Sequence, residues 1–225
     1  PFPYTDVRIV DIATQLDCVV NNVGEICVAS PGVYGGKTYT ETAKNADLFY
    51  PGENSPFGKS VQYLRTGDLG RLDADGYLWI TGRAKDLIIR GGHNIDPAEI
   101  EEVLAGHDAV AFAGAIGQPD AHAGEIPCVY VELIDGAEVT EVELLAFAKS
   151  AIHERAAHPK YLEIVDELPK TAVGKIFKPD LRKLAIARIF NTALANAYVA
   201  AEVRTVSEDK KRGLVAHLVK TGSVD

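Results

Sequence analysis

The pattern of the sequence changes near Lys85, and this change constrains the fold more than any other feature. Before it, short β-branched or alternating runs at 7–10, 25–29 and 77–81 predict strands, and clusters of glycine and proline separate them. After it, strands alternate with segments of helical periodicity. The sequence therefore predicts an α+β protein, with a β-rich first part and then a small mixed α/β domain. Residues 30–62, which are rich in Gly, Pro, Ser, Thr and Asn, are predicted to be loop.

The clearest local signal is a helix start just after Gly91 and Gly92. Asp96 is the predicted N-cap, Pro97 takes the first helical position, and Glu99 has the spacing of a capping box. Glycines can adopt positive φ angles and let a thin ligand approach the backbone. A flexible pair therefore directly precedes a well-specified helix.

Further elements are predicted in the second part of the chain. Helices begin after Thr140, with Glu143 at the capping-box position, and at Pro179. Strands are predicted at 110–116, 128–133, 161–165 and 213–219. The buried face of the last helix is predicted from its apolar stripe, which consists of Ile186, Ile189, Phe190, Ala193, Leu194 and Ala197.

Composition excludes several classes of protein. The formal net charge of −9 argues against a general nucleic-acid binder, which needs a basic face. No apolar run approaches the roughly 18 to 20 residues that cross a bilayer. The three cysteines lack a CxxC spacing, so they are interpreted as reduced thiols of a cytoplasmic protein, and no metal site is predicted. The chain opens without methionine, which we interpret as a piece of a longer polypeptide.

Three stretches contain candidate functional residues, each with a plainer alternative. Asp68 follows Thr66 and Gly67 on a predicted tight turn. Its carboxylate could accept hydrogen bonds from two ribose hydroxyls, or it could simply cap its own turn. Arg83 could hold a phosphate or ribose oxygen with its planar guanidinium. Lys175 follows a glycine in a loop, where it could reach a ligand as a point charge or belong to a solvated basic segment.

Taken together, these stretches resemble the adenylate-forming superfamily, which holds acyl-CoA synthetases, firefly luciferases and the adenylation domains of peptide synthetases. The resemblance is carried by YLRTGDLGRLDADGYLWITGRAKDLIIRGGHNIDPAEIEE and, further on, by LPKTAVGKIFKPDLRK. It spans residues 24–183 and is closest to acyl-CoA synthetases (fatty acid–CoA ligases).

The resemblance implies roles for particular residues. Asp68 matches the aspartate that binds the ribose hydroxyls of ATP, Arg83 the neighbouring nucleotide-binding arginine, and Ile80 a side chain that packs near the ribose. Lys175 matches the catalytic lysine that bridges the reacting carboxylate and the α-phosphate. Lys85 matches the hinge about which a small lid domain rotates between two half-reactions.

The glycine pair also has a counterpart in the family. The resemblance implies that Gly91, Gly92, His93 and Asn94 form a loop that lines the entry tunnel of the thiol of coenzyme A. The residue type at the position of His93 varies in the family, and an ordinary surface hydrogen bond explains a histidine here equally well.

The implied organisation has three parts. Residues 1–84 would be the end of a large AMP-binding domain, 85–185 the mobile lid, and 186–225 a helix-plus-strand extension of the lid. The implied function is ATP-dependent activation of a carboxylic acid, predicted to be fatty, followed by acyl transfer to coenzyme A. Mg²⁺ would be held through ATP in the part of the large domain outside this chain, so this piece alone is predicted to be inactive. Loading of a carrier protein, or a non-catalytic module with the lid fold, are the alternatives.

Overall fold

The computed structural model describes residues 3–33, 38–52, 55–57, 61–209 and 211–221. The chain is a mixed, sheet-rich α+β protein, as predicted, and it divides into two compact units, Pro1–Lys85 and Asp86–Asp225. The strands are β1 (Asp6–Val10), β2 (Gly24–Ala29), β3 (Phe49–Gly52), β4 (Val61–Leu72), β5 (Leu78–Arg83), β6 (Ile88–Arg90), β7 (His93–Ile95), β8 (Val110–Asp120), β9 (Gly124–Leu133), β10 (Tyr161–Val165), β11 (Ala201–Asp209) and β12 (Gly213–Lys220). The helices are α1 (Ala43–Ala46), α2 (Pro97–Ala105), α3 (Glu141–Ala151) and α4 (Lys178–Asn196), and a short 3₁₀ turn spans Ala84–Asp86.

The first unit is built on an antiparallel sheet whose longest strand is β4. Strand β2 pairs with one edge of β4, and β3 and then β5 pair with successive parts of the other edge. The buried core residues of this unit include Val10, Cys27 and Tyr63. The three predicted strands are confirmed. The predicted loop at 30–62 is partly wrong, because it contains α1 and β3, whose short segments lack a clear periodic pattern.

The second unit is a sheet covered on both faces. Its strand order is β10-β9-β6-β7, with β8 on β9, and only the β9–β10 pair is parallel among the described strands. Along β9, Val129 and Val131 face α2 and α3, whereas Cys128 and Tyr130 face α4. This alternation follows from the two-residue period of a strand, so one strand supplies both cores.

The helix starts of the second unit agree with the sequence, with one difference. Asp96 caps α2 by accepting the Ala98 amide at 2.9 Å, and the capping box at Thr140 and Glu143 begins α3. The predicted capping box at Glu99 is wrong in the described structure. Asp96 bonds to the second amide of the helix rather than the third. Burial raises the pKa of the Glu99 carboxyl, and the negative charge of Glu154 raises it further.

The C-terminal helix differs more from its prediction. It begins at Lys178, one residue before the predicted start, but its buried residues are Leu181 and Ala185, whereas Phe190 of the predicted stripe is 49% exposed. The reason is that only the first half of α4 packs on the sheet. The second half contacts a hairpin of β11 and β12, where Asn191 bonds to both backbone groups of Val203. No helix in the described part of the chain has the length and apolarity to cross a membrane.

Candidate active site

A bulge in β4 positions Asp68. The hydroxyl of Thr66 donates to the carbonyl oxygen of Ile26 at 2.8 Å and accepts the amide of Asp68 at 3.1 Å. Gly67 between them has a φ of +74°, which a side chain would strain. The predicted tight turn is therefore wrong, because these residues lie within one continuous strand. The bulge in this strand changes the direction of the Asp68 side chain.

A buried carboxylate supports this bulge and was missed by the sequence reasoning. Glu25 is 8% exposed and accepts the Gly67 amide at 3.2 Å through Oε1. Its Oε2 accepts Nε of Arg65 at 2.9 Å. A buried carboxylate needs such partners. Glu25, paired with Arg65, therefore stabilises the bulge at Gly67 that precedes Asp68. The sequence offers no short-range signal for this contact, because Glu25 and Arg65 lie 40 positions apart.

Asp68 and Arg83 form an ion pair across β4 and β5. They are direct cross-strand partners, and Nε of Arg83 lies 2.9 Å from Oδ1 of Asp68. The side chains are 33% and 58% exposed, so solvent or a ligand can reach both. Ile80 on the same strand is 70% exposed. The first unit thus presents a carboxylate, a guanidinium and an apolar side chain on neighbouring strands.

Lys175 lies in a small hairpin of the second unit, residues 170–176, which we call the Lys175 hairpin. The backbone of Lys170 bridges to that of Ile176, and the Thr171 amide donates to the Lys175 carbonyl at 2.7 Å. The Thr171 hydroxyl accepts the Lys175 amide at 3.2 Å, and Gly174 takes a φ of +78°. The hairpin is thus closely hydrogen bonded, while the Lys175 side chain is exposed.

The other basic side chains around this hairpin are paired with carboxylates. The ion pairs are Lys170–Glu132, Lys178–Glu101, Arg182–Asp86 and Lys183–Asp180. Within the described residues, the Lys175 ammonium has no ion-pair or hydrogen-bond partner. The other four basic side chains of this segment are thus paired, whereas that of Lys175 is exposed to solvent.

The glycine pair forms the turn of the β6–β7 hairpin. Gly91 and Gly92 have φ angles of +55° and +88°, as the two central residues of a type I′ turn require. The predicted four-residue loop is too long: His93 pairs with Arg90, and Asn94 with Ile89, because a two-residue turn already closes the hairpin. No described atom lies within 4 Å of a Cβ placed at either glycine, so this edge is open.

A basic cleft lies beside the glycine turn. Its volume is about 460 Å³, and its lining consists of Arg90, Gly91, His93, Ala123, Arg155, Ala156, His158 and Lys160. The ring of His93 lies 3.3 Å from Glu154, between Nδ1 and Oε1, and Nε2 of His158 donates to the Ile152 carbonyl at 2.9 Å. The sequence reasoning missed Arg155, His158 and Lys160. The basic residues of HERAAHPK were the available signal.

The two buried cysteines are not candidates for nucleophiles. Burial raises the pKa of Cys27 to about 12 and that of Cys128 to about 11. Both thiols therefore stay protonated near neutral pH, and only the thiolate is a strong nucleophile. They pack as small hydrophobic side chains.

Each set of candidate residues lies within one unit. Asp68, Ile80 and Arg83 belong to the first unit, and Lys175 and the glycine turn belong to the second. Lys85, the predicted hinge, is the last residue of the first unit and lies in the 3₁₀ turn.

Comparisons with known proteins identify the class of this chain. Residues 99–175 match the family of AMP-binding enzyme C-terminal domains. The structure is similar to ATP-bound MatB from Rhodopseudomonas palustris, with a TM-score of 0.69 and 32% identity over 80% of this chain and 34% of that one. The chain therefore belongs to the adenylate-forming enzymes as a C-terminal portion, and the resemblance predicted from its motifs is confirmed.

Two relatives within this class are CoA ligases. The chain is 44% identical over 193 residues to marinolic acid–CoA ligase from a Pseudoalteromonas species, covering 83% of this chain and 27% of that protein. It is also similar to o-succinylbenzoate CoA synthetase from Bacillus subtilis in complex with its acyl-adenylate intermediate, with a TM-score of 0.66 and 34% identity over 81% of this chain and 34% of that one. The chain spans about a third or less of the length of these relatives.

Proposed function

We propose that this chain is the C-terminal part of an AMP-forming acid–thiol ligase, which adenylates a carboxylic acid with ATP and transfers the acyl group to coenzyme A. The observation that carries the proposal is the isolated charge of Lys175 on a closely bonded hairpin whose other cations are paired. Such an ammonium is available to an anionic ligand without first breaking an ion pair.

The proposed role of Lys175 follows from the charges of the reactants. A carboxylate and the α-phosphate of ATP repel each other before they react, and negative charge concentrates between them in the transition state. An ammonium about 4 Å away offsets this repulsion by roughly 4 kcal/mol at an effective dielectric constant near 20. Preorganised charge of this kind acts on the transition state more than on the free reactants, so it raises the rate of adenylation.

The first unit is proposed to hold the nucleotide. The Asp68 carboxylate can accept two vicinal ribose hydroxyls, and Arg83, bound to it at 2.9 Å, can hold it in place or contact a ligand oxygen with its remaining N–H groups. The exposed Ile80 side chain offers an apolar contact to the sugar. Among the described residues, no cluster of three or more His, Cys, Asp or Glu side chains is placed to ligate a metal ion.

The thiol acceptor is proposed to be coenzyme A, and the basic cleft favours it. Coenzyme A carries three phosphate groups, whereas the prosthetic arm of a carrier protein carries one phosphodiester. Arg90, Arg155 and Lys160 line a cleft next to the open Gly91–Gly92 edge, where a slim arm could pass close to the backbone. A release assay with free coenzyme A against an acyl carrier protein would separate the two acceptors.

We propose that the second unit reorients about Lys85, so that Lys175 serves adenylation and the glycine turn serves thiol transfer. A fatty or other hydrophobic acid remains our proposal for the substrate, because the motifs of the chain resemble those of acyl-CoA synthetases (fatty acid–CoA ligases). The relatives are named for marinolic acid and o-succinylbenzoate. We also propose a cytoplasmic location, because ATP and coenzyme A are both present in the cytoplasm.

The proposed function is tested by Lys175→Ala in the complete protein that carries this chain. Acid-dependent exchange between ATP and pyrophosphate should fall on the order of a hundredfold or more, because one preorganised charge is lost. Formation of acyl-CoA from preformed acyl-adenylate should be affected much less. Lys149→Ala is the matched control, since Lys149 is an exposed lysine on α3. Intact exchange in Lys175→Ala would favour the non-catalytic alternative.

The activity of the piece alone is a separate test. We expect the isolated chain to give no acid-dependent turnover with ATP, coenzyme A and a panel of carboxylic acids. Robust turnover would show that these residues contain a complete active site.

A further inference from the structure

Glu132 on β9 is bonded to the base of the Lys175 hairpin. Its Oε2 accepts the Leu168 amide at 2.8 Å, and both carboxylate oxygens accept Nζ of Lys170, at 3.0 and 2.8 Å. The Glu132 and Lys170 side chains are 16% and 23% exposed. Nζ of Lys170 also lies 4.5 Å from the centre of the Phe112 ring, on the neighbouring strand β8. The bond from the Leu168 amide and those from Lys170 lower the pKa of the Glu132 carboxyl, so this carboxyl is ionised at neutral pH.

This contact determines where the hairpin leaves the sheet. Residue Lys170 forms the backbone bridge to Ile176, and the Phe177 amide donates to the Pro169 carbonyl at 2.7 Å. Both strands of the hairpin are therefore joined to the short segment that Glu132 holds. Lys175 lies across one tight turn from these residues, and its carbonyl accepts the Thr171 amide. A displacement of residues 168–170 therefore also displaces the backbone of Lys175.

Glu132 also affects the charge of the hairpin. Without it, the Lys170 ammonium would be a second unpaired cation next to Lys175. A mobile second cation could bind the same anionic ligand in a geometry that does not place charge at the reacting atoms. Pairing Lys170 leaves Lys175 as the available cation of the described hairpin.

We infer that Glu132 is a positioning residue for Lys175, which holds the Lys175 hairpin on the sheet and neutralises its neighbour Lys170. This inference rests on the proposed function, because it assigns Glu132 to the adenylation step. Nothing in it requires Glu132 to touch a substrate.

The test compares Glu132→Ala with Glu132→Gln in the complete protein. The amide of glutamine can still accept the Leu168 N–H but lacks the charge that binds Lys170. We expect Glu132→Ala to lower ATP–pyrophosphate exchange about 10- to 100-fold, since misplacement by about 1 Å can cost on the order of a hundredfold. Glu132→Gln should give a smaller loss. The fall should be in kcat more than in the KM for ATP, and transfer from preformed acyl-adenylate should change little.

Two controls separate positioning from loss of stability. Glu138→Gln removes an exposed carboxylate of the same unit and should change neither half-reaction. Leu144→Ala creates a cavity in the core between the sheet and α3, away from the hairpin, and should affect both half-reactions to a similar degree if it affects them at all. Amide hydrogen exchange of 168–178 should accelerate in Glu132→Ala but not in Leu144→Ala.

The outcomes distinguish this inference from the proposed function. If Lys175→Ala abolishes exchange while Glu132→Ala leaves it unchanged, or lowers both half-reactions equally, the role of Glu132 is refuted and the function stands. Unchanged hydrogen exchange of 168–178 in Glu132→Ala would refute the anchoring directly. If Lys175→Ala leaves exchange intact, the function itself fails.

Discussion

Lys178 at the start of α4 binds Glu101 on α2, with 2.8 Å between Nζ and Oε1. The same carboxylate oxygen accepts the Ala115 amide of β8 at 2.8 Å. One carboxylate thus joins a helix, the sheet and the segment that follows the Lys175 hairpin. Together with Glu132, it holds the polypeptide on both sides of Lys175.

The first prediction concerns the stability of this contact. Burial raises the pKa of Glu101, and the ion pair with Lys178 only partly offsets it. Lys178→Met should therefore raise that pKa further and destabilise the fold by about 1–3 kcal/mol at neutral pH. A carboxyl whose pKa is raised in the folded state destabilises the fold as pH rises through that pKa. The destabilisation by Lys178→Met should therefore shrink on acidification, when Glu101 is protonated.

Thermal unfolding of the complete protein as a function of pH measures this effect. Lys183→Met is the matched control, because Lys183 pairs with the more exposed Asp180 within one helix and such pairs contribute little. A destabilisation by Lys178→Met that is the same at acid and neutral pH would contradict the prediction.

The second prediction concerns the nucleotide. Asp68→Asn keeps the size of the side chain but removes the charge that would accept ribose hydroxyls. Hydrogen bonds to a charged group contribute about 1.5–3 kcal/mol, so the KM for ATP should rise roughly 10- to 100-fold. Transfer from acyl-adenylate should also weaken, because the adenylate keeps its ribose. Steady-state kinetics measure both, and Asp75→Asn on the exposed turn should leave them unchanged.

The third prediction concerns the basic cleft. The double variant Arg155→Ala, Lys160→Ala should raise the KM for coenzyme A by roughly 5- to 20-fold, since each exposed charge contributes up to about 1 kcal/mol. The effect should diminish at high salt, where such charges are screened. Pantetheine, which has the thiol arm but no phosphates, should be used equally by variant and parent. An equal loss with pantetheine would place the defect in the thiol path instead.

The fourth prediction concerns the boundary between the two units. Lys85→Pro restricts the φ angle at the proposed hinge, so it should impair acyl transfer to coenzyme A more than ATP–pyrophosphate exchange. Lys85→Ala, which keeps the backbone rotatable, should have a much smaller effect. Equal loss of both half-reactions in Lys85→Pro would mean that the pivot lies elsewhere.

Local chemistry explains which features could be predicted from the sequence. The cap at Asp96, the capping box at Thr140 and the positive φ angles of Gly91 and Gly92 depend on single residues or on residues two to three positions apart, so their signals lie in short stretches. The motifs around Asp68 and Lys175 were likewise sufficient to identify the class of the chain.

The same reasoning misjudged features that depend on distant partners. The apolar stripe around Phe190 was predicted to be buried, yet the sheet covers only the first half of α4. The bulge at Gly67 looked like a turn because its partner, Glu25, lies 42 positions away. The basic cleft combines segments around Arg90 and Lys160 that no periodicity connects.

The sequence by itself determined the α+β class, most strands and helices of the second unit, the caps at Asp96 and Thr140, and the family of the chain, because these follow from neighbouring residues and short motifs. Only the tertiary structure decided which charges are free. Lys170 meets Glu132 from 38 positions away, and Lys178 meets Glu101 on another helix. An ion pair forms wherever folding brings two opposite charges within a few ångströms, so the isolation of Lys175 is a property of the folded chain.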